Sequence, residues 1–383
     1  MGSILCCDKN SDEESQHIVS KPPEYSWDQK KKLNPKDYTI ENCNDSCTGR
    51  LPRTINGEQF IIQNCKNARI YLLDHIGSIT VDDCTDCDIV IGPVKTSIFI
   101  RDCNKCNFMV ACQQFRTRDC RNLNVFLSCT SQPIIEATSK FKVGSYQLYY
   151  PDLAEQFEKA NLSPFNCIWS DIHDFSHDSE QGSNFSFIHE ETKPFDIITS
   201  PASVLNSNEA KEHGDSINND NNFANILMKM EITDSRKLSV VPYTLGNRRN
   251  MLTDGACQIP SLVILYNNRG EERKLAYDIL RYGIENFKNI HLIKTRESKL
   301  SLETIQRLFE GNIPANELAT RGPVISLEYC GQNSIIGCIT AFKQTRLNNE
   351  DLNELIYVSP DVNTTRSQIE ILTNLTNMYM NTA

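Results

Sequence analysis

No run of apolar residues in the chain approaches the roughly 20 needed to cross a bilayer. The first residues, MGSILCC, pass directly into DKNSDEES, so the charged start and long apolar core of a secretory signal are missing. Basic residues are in deficit: the formal net charge is -10, and no stripe of lysine and arginine interrupts it. Nonspecific nucleic-acid binding needs such cations to replace phosphate counterions, and it is excluded on that ground. The expected setting is the cytosol. There, 16 cysteines call for a cause other than disulfides.

Ten of those cysteines fall between Cys43 and Cys129, and their spacing reveals an internal repeat. FIIQNC, ITVDDC, IFIRDC and FRTRDC align on Cys65, Cys84, Cys103 and Cys120, at steps of 19, 19 and 17 residues. After each comes a second alternating run: Ala68, Ile70, Leu72; Cys87, Ile89, Ile91; Cys106, Phe108, Val110; Leu123, Val125, Leu127. Alternation with period two means short strands with one buried face. Two strands per coil, turned by Asn, Asp, Gly and Pro, cannot bury that face alone. Stacked coils of a right-handed parallel β-helix can.

The same repeat bears on metal binding. Cys84-x-x-Cys87 and Cys103-x-x-Cys106, with 15 residues between the pairs, match a four-cysteine zinc template. Equivalent positions in the flanking coils hold Ala68 and Leu123, so the column reads as packing, and no metal is expected.

In ACQQFRTRDCR, alignment places Phe115 and Thr117 inward and Arg116 and Arg118 outward. Gln113 and Gln114 share a corner with Thr96 and Ser97, and Glu136 follows about one coil later. Outward arginines are ordinarily solvated surface. Convergence with glutamines and a carboxylate gives this one the makings of an arginine finger, a charge supplied in trans to a transferring γ-phosphoryl group.

Downstream, SHDSEQGSN and NSNEAKEHGDSINNDNN are polar and poor in branched apolar residues, so 176–255 reads as a mostly flexible linker. From 256 the pattern alternates again: SLVILY as strand, Leu275, Ile279, Leu280, Ile284 and Phe287 at helical spacing, NIHLIKT as strand, SLETIQRLFE as helix, GPVISLEYCG as strand, and an amphipathic helix from Arg366 to Met380. The expected organisation is a tail (1–35), a β-helix (36–175), the linker, and an α/β domain (256–383).

The tract from YSWDQKKKLNPKDY through GRLPRTINGEQFIIQNC, GPVKTS, ACQQFRTRDCR and SQPIIEA to FNCIWSDIHDF resembles the X-linked retinitis pigmentosa family of tubulin folding cofactor C homologues. That resemblance implies GTPase activation of an ARF-like small GTPase in its GTP state. Arg116 would be the finger, with no cofactor of this chain's own and GTP and Mg²⁺ supplied by the partner. It also implies partner or nucleotide contacts from Thr96, Ser97, Gln113, Gln114, Phe115, Arg118, Glu136 and Phe175, with tubulin a further candidate partner. Family members carry N-terminal acyl groups, which would fall here on Gly2, with Cys6 and Cys7 as palmitoyl sites. The location implied is the cytoplasmic face of the plasma membrane and the cilium base, with release of lipidated cargo as the process served, and the cytosol when not acylated.

GPVISLEYCG resembles the corresponding strand of nucleoside diphosphate kinases, implying a ferredoxin-like fold. The lysine expected after the first strand is replaced by Asn267 and Asn268, and the histidine motif is absent. A catalytically degenerate domain is therefore expected, with His291 structural.

Overall fold

The computed structural model describes residues 34–178, 182–203, 220–251, 259–287, 290–331, 334–346 and 354–380. Gly2, Cys6 and Cys7 lie outside them. The body of the protein is Tyr38–Ala383.

Eleven strands build successive coils: β1 (Thr39–Glu41), β2 (Cys47–Arg50), β3 (Phe60–Gln63), β4 (Arg69–Leu72), β5 (Ile79–Asp82), β6 (Asp88–Ile91), β7 (Val94–Arg101), β8 (Asn107–Arg118), β9 (Asn124–Cys129), β10 (Ile134–Glu136) and β11 (Phe141–Ser145). After α1 (Leu153–Lys159), β12 (His173–Asp174) and β13 (Phe185–Phe187) add the last rungs. All pairings are parallel. One ladder runs β1-β3-β5-β7-β8-β10-β12 and the other β2-β4-β6-β8-β9-β11-β13, with β8 turning the corner between them. This is the expected parallel β-solenoid.

Its corners explain the asparagine and aspartate content. Asn42, Asn64, Asp83, Asp102 and Asp119 form one column of left-handed residues, and Asp45, Asn67, Asp86 and Asn122 lie in a second. Short polar side chains tolerate that backbone best after glycine. Beside the first column the cysteines cap carbonyls: Cys84 Sγ donates to Asp82 O at 3.3 Å, Cys103 to Arg101 O at 3.1 Å and Cys120 to Arg118 O at 3.1 Å. In the next coil Thr138 takes that place and donates to Glu136 O at 2.9 Å. All ten solenoid cysteines are free thiols.

Glycine is required where β6 turns into the next corner. A Cβ on Gly92 would sit 2.2 Å from Asp74 O. Asp74 itself is buried and accepts from the amides of Ile55 (2.7 Å), Asn56 (2.8 Å) and His75 (2.9 Å). Burial works against its charge, but those amides and the His75 side chain prevail and hold its carboxyl below the ordinary range.

The flexible linker expected at 176–255 is corrected where that stretch is described. β13 stacks on β11, Thr199 donates from its amide to buried Asp88 at 2.8 Å, and α2 (Asp220–Lys229) packs on β2. Ile198, Leu227, Val240 and Val241 are buried in the solenoid's core cluster. These apolar residues are too sparse to show a period, because they meet a finished surface and build no core of their own.

The second domain contains β14 (Pro260–Leu265), α3 (Glu271–Asn286), β15 (His291–Ser298), α4 (Leu302–Leu308), α5 (Ile313–Ala319), β16 (Val324–Cys330), α6 (Ser334–Arg346), β17 (Ile356–Val358) and α7 (Val362–Met380). Its sheet order, β15-β16-β14-β17 with every pairing antiparallel, is ferredoxin-like. Leu275 and Ile279 of α3 are buried as the helical spacing requires, whereas Ile284 is exposed.

Candidate functional site

The site lies on the half of β8 that stacks between β7 and β10. Burial along β8 alternates at its end: Gln113 is exposed, Phe115 buried, Arg116 exposed, Thr117 buried and Arg118 exposed. The pairings Ile98↔Phe115 and Ile100↔Thr117 match the repeat alignment. Ser97 pairs with Gln114, which brings the threonine-serine corner beside the glutamines, at a register shift between Val94 and Ser97.

Phe115 is corrected as a contact residue. It is buried, and its ring centroid lies 6.0 Å from that of Phe141, so it anchors the strand from within and meets no partner. Inward parity places it there, and alternation already required this.

Glu136 pairs with Arg118, and Ile134 pairs with Arg116. The carboxylate therefore sits opposite the second arginine, one step along from the candidate finger. Phe175 is 65% exposed, its amide donates to Ile135 O at 3.0 Å, and its ring meets His173 edge-on at 4.5 Å.

Three arginines share this outer face, and their surroundings differ. Arg101 grips Asp82 through Nε (2.8 Å) and Nη2 (2.7 Å). Arg118 Nε donates to Asp119 at 3.2 Å. Arg116 forms no ion pair among the described residues; its guanidinium carbon stands 5.9 Å from the ring centroid of Phe99, its partner in β7. Such a contact is weak, about 0.5–1 kcal/mol at an exposed site, so the side chain can leave it for a stronger anion.

Phe99 is a residue that sequence reading missed. The signal was there: Ile98-Phe99-Ile100 places three apolar residues in a row where alternation calls for a polar middle one. Phe99 is 39% exposed. His173, in register with Ile134 on the same face, was missed because its rung follows a 27-residue insertion, 146–172.

Cys84, Cys87, Cys103 and Cys106 are buried in two columns, Cys84 and Cys103 with Cys65 and Cys120, and Cys87 and Cys106 with Ala68 and Leu123. Among the described residues no group of three or more ligating side chains is arranged to hold a metal ion.

Residues 57–175 match the family model "Tubulin binding cofactor C". Over 116 residues, 30% of this chain and 34% of that protein, it is 30% identical to human tubulin-specific chaperone C. The solenoid is thus a cofactor-C-type domain. Across nearly its whole length the chain is 36% identical to Protein XRP2 of Xenopus laevis (374 residues, 97% of this chain and 96% of that one) and 35% identical to human Protein XRP2 (344 residues, 88% and 89%). The chain belongs to the XRP2 family. Solved structures similar to parts of it include cofactor C of Leishmania major (22% identity, TM-score 0.28, 38% of this chain and 90% of that one). Another is the nucleoside diphosphate kinase of Aquifex aeolicus (14% identity, TM-score 0.24, 30% and 94%).

Proposed function

We propose that this protein accelerates GTP hydrolysis on an ARF-like small GTPase, with Arg116 entering the partner's active site. The observation that carries the reading is the contrast on one face: Arg101 and Arg118 are tied to carboxylates, while Arg116 rests only over Phe99. A carboxylate-bound arginine would have to give up charge-assisted hydrogen bonds before reaching a phosphate. Arg116 gives up little.

The finger chemistry asks little else of this chain. As hydrolysis proceeds, negative charge spreads over the γ-phosphoryl oxygens, and a planar guanidinium can donate to two of them at once. Nucleotide, Mg²⁺ and attacking water belong to the partner. Thr96, Ser97, Gln113, Gln114, Arg118, Glu136 and Phe175 would surround the finger and orient the partner. Acylation at Gly2 with Cys6 or Cys7 would hold the protein on the cytoplasmic face of the plasma membrane and at the cilium base, where release of lipidated cargo is the process served.

Single-turnover GTP hydrolysis with a panel of ARF-like proteins tests the reading: at least one should turn over faster when this protein is added. Binding without acceleration would favour an effector role. Similarity to tubulin-specific chaperone C supports tubulin as a second partner class, tested by co-sedimentation.

A further inference from the structure

The solenoid corner carrying Thr96 and Gln113 opens onto a polar cleft of about 460 Å³ whose other side is formed by the end of α1, the loop after it and Arg273 of the second domain. Lys95, Thr96, Gln113 and Thr130 come from successive coils, and Arg273 comes from α3.

Arg273 is fixed from behind. Its Nε and Nη2 donate to the two carboxylate oxygens of Glu297 at 2.9 and 3.0 Å. Glu297 is in turn tied to the loop after α1. Asn166 Nδ2 donates to Glu297 O at 3.0 Å, Glu297 N donates to Asn166 Oδ1 at 2.8 Å, and Ser163 Oγ donates to the carboxylate. Thr295 Oγ1 donates to Phe165 O at 2.7 Å, and the Phe165 ring is buried in the second domain's core. The two walls of the cleft are therefore joined across one seam of directional bonds.

Distance decides whether a partner on Arg116 reaches this cleft. Three residues of extended strand separate Gln113 from Arg116, at most about 10 Å. A stable interface covers about 800 Å² on each side, a disc of roughly 16 Å radius. An interface of that size centred on Arg116 extends past Gln113 and so reaches the cleft's lining.

Charge then decides what fits inside. The lining carries one further cation, Lys95, and one anion, Glu158, and Arg273 is already answered by Glu297. The remaining lining is uncharged: side-chain hydroxyls and amides, with Ala160 and Leu162. Resting on the finger reading above, we infer that this cleft receives an uncharged polar turn of the GTP-loaded GTPase. The second domain thus completes the docking surface through Arg273, whose Nη1 is left for a carbonyl of that turn.

The test uses the full chain and an ARF-like GTPase loaded with a nonhydrolysable GTP analogue. Thr130→Trp fills the cleft without touching the Arg273–Glu297 pair, and Arg273→Ala removes the donor. Each should weaken binding about tenfold, the loss of roughly 1.4 kcal/mol that a central contact carries. The saturating rate of GTP hydrolysis should stay within about twofold of wild type, because Arg116 itself is left in place. The losses should be equal at low and high salt. If both variants bind as wild type does while stimulation is normal, the cleft is no docking site and the finger reading stands. A loss that vanishes at high salt would mean a charged occupant and overturn the polar turn. If wild type binds no ARF-like protein, both readings fall.

Discussion

Arg116 and Phe99 occupy paired positions on adjacent coils, with the guanidinium carbon 5.9 Å from the ring centroid. The contact orders the side chain outward before any partner arrives, yet its strength of about 0.5–1 kcal/mol is small enough to be surrendered on binding. Phe99→Leu should therefore lower the saturating rate of stimulated hydrolysis by no more than about fivefold, while removal of Arg116 should abolish it. Single-turnover rates at saturating protein make the comparison. A loss with Phe99→Leu as large as with Arg116→Ala would mean the ring does more than rest the guanidinium.

Asp74 should impose an acid limit on solenoid stability. Its folded carboxyl is held below the unfolded value of about 3.9, so its contribution is complete above that value. It is lost as pH falls through the folded value. Asp74→Asn replaces a charged acceptor with a neutral amide opposite three backbone donors and should cost about 2–3 kcal/mol near neutrality. Its stability curve should then fall less steeply than wild type below about pH 4. Denaturant midpoints across pH check both statements; parallel acid limbs would count against Asp74 as the sensor.

The cysteine column should care about its hydrogen-bond donor. Buried Cys103 is kept in its thiol form by the neighbouring thiols of Cys106, Cys120 and Cys84 together with burial, and it donates to Arg101 O. Because Thr138 makes the equivalent bond in the same column, Cys103→Ser should be tolerated better than Cys103→Ala, by about 1 kcal/mol. Unfolding midpoints in urea measure the difference. Equal stability of the two variants would reduce the column to packing alone.

The repeat made this face legible before any coordinates. Cysteine spacing fixed the phase of β7 and β8 to the residue, including the inward turn of Phe115, and the short step of 17 residues reappears as the register shift between Val94 and Ser97. Less was readable where a rung comes from far along the chain. Glu136 sits opposite Arg118, and β12 reaches its place only after α1 and its loops, so no local period marks either fact. The packing of 182–203 and 220–251 was hidden for a related reason: side chains that fill gaps on an existing surface need no regular spacing. Arg273 illustrates the limit, since only the seam between domains brings it to the corner of Thr96.

Membrane attachment should need two signals, because one myristoyl chain binds only marginally. Gly2→Ala and a variant lacking both Cys6 and Cys7 should each move to the soluble fraction of cells. Retention of both at the membrane would assign anchoring to another surface.

Arg116→Ala should abolish stimulated hydrolysis and leave affinity for the GTP-loaded partner nearly intact. Arg116 is exposed and without an ion pair among the described residues, so its loss opens no cavity and strands no carboxylate. The interaction it supplies grows as charge moves onto the γ-phosphoryl oxygens, so it stabilises the transition state more than the bound ground state. A fall of roughly a thousandfold or more in rate, with affinity changed only a few-fold, is the expected split. Arg116→Lys should rescue poorly, since an ammonium cannot match two oxygens with a planar fork. Arg118→Ala is the matched control: that side chain is tied to Asp119 and paired with Glu136, so its removal should weaken docking with a much smaller loss of rate. Single-turnover hydrolysis at saturating protein, with affinity measured separately on a nonhydrolysable analogue, separates the two residues. Near-normal stimulation by Arg116→Ala would transfer the role elsewhere, and the reverse ranking of the two variants would assign the finger to Arg118.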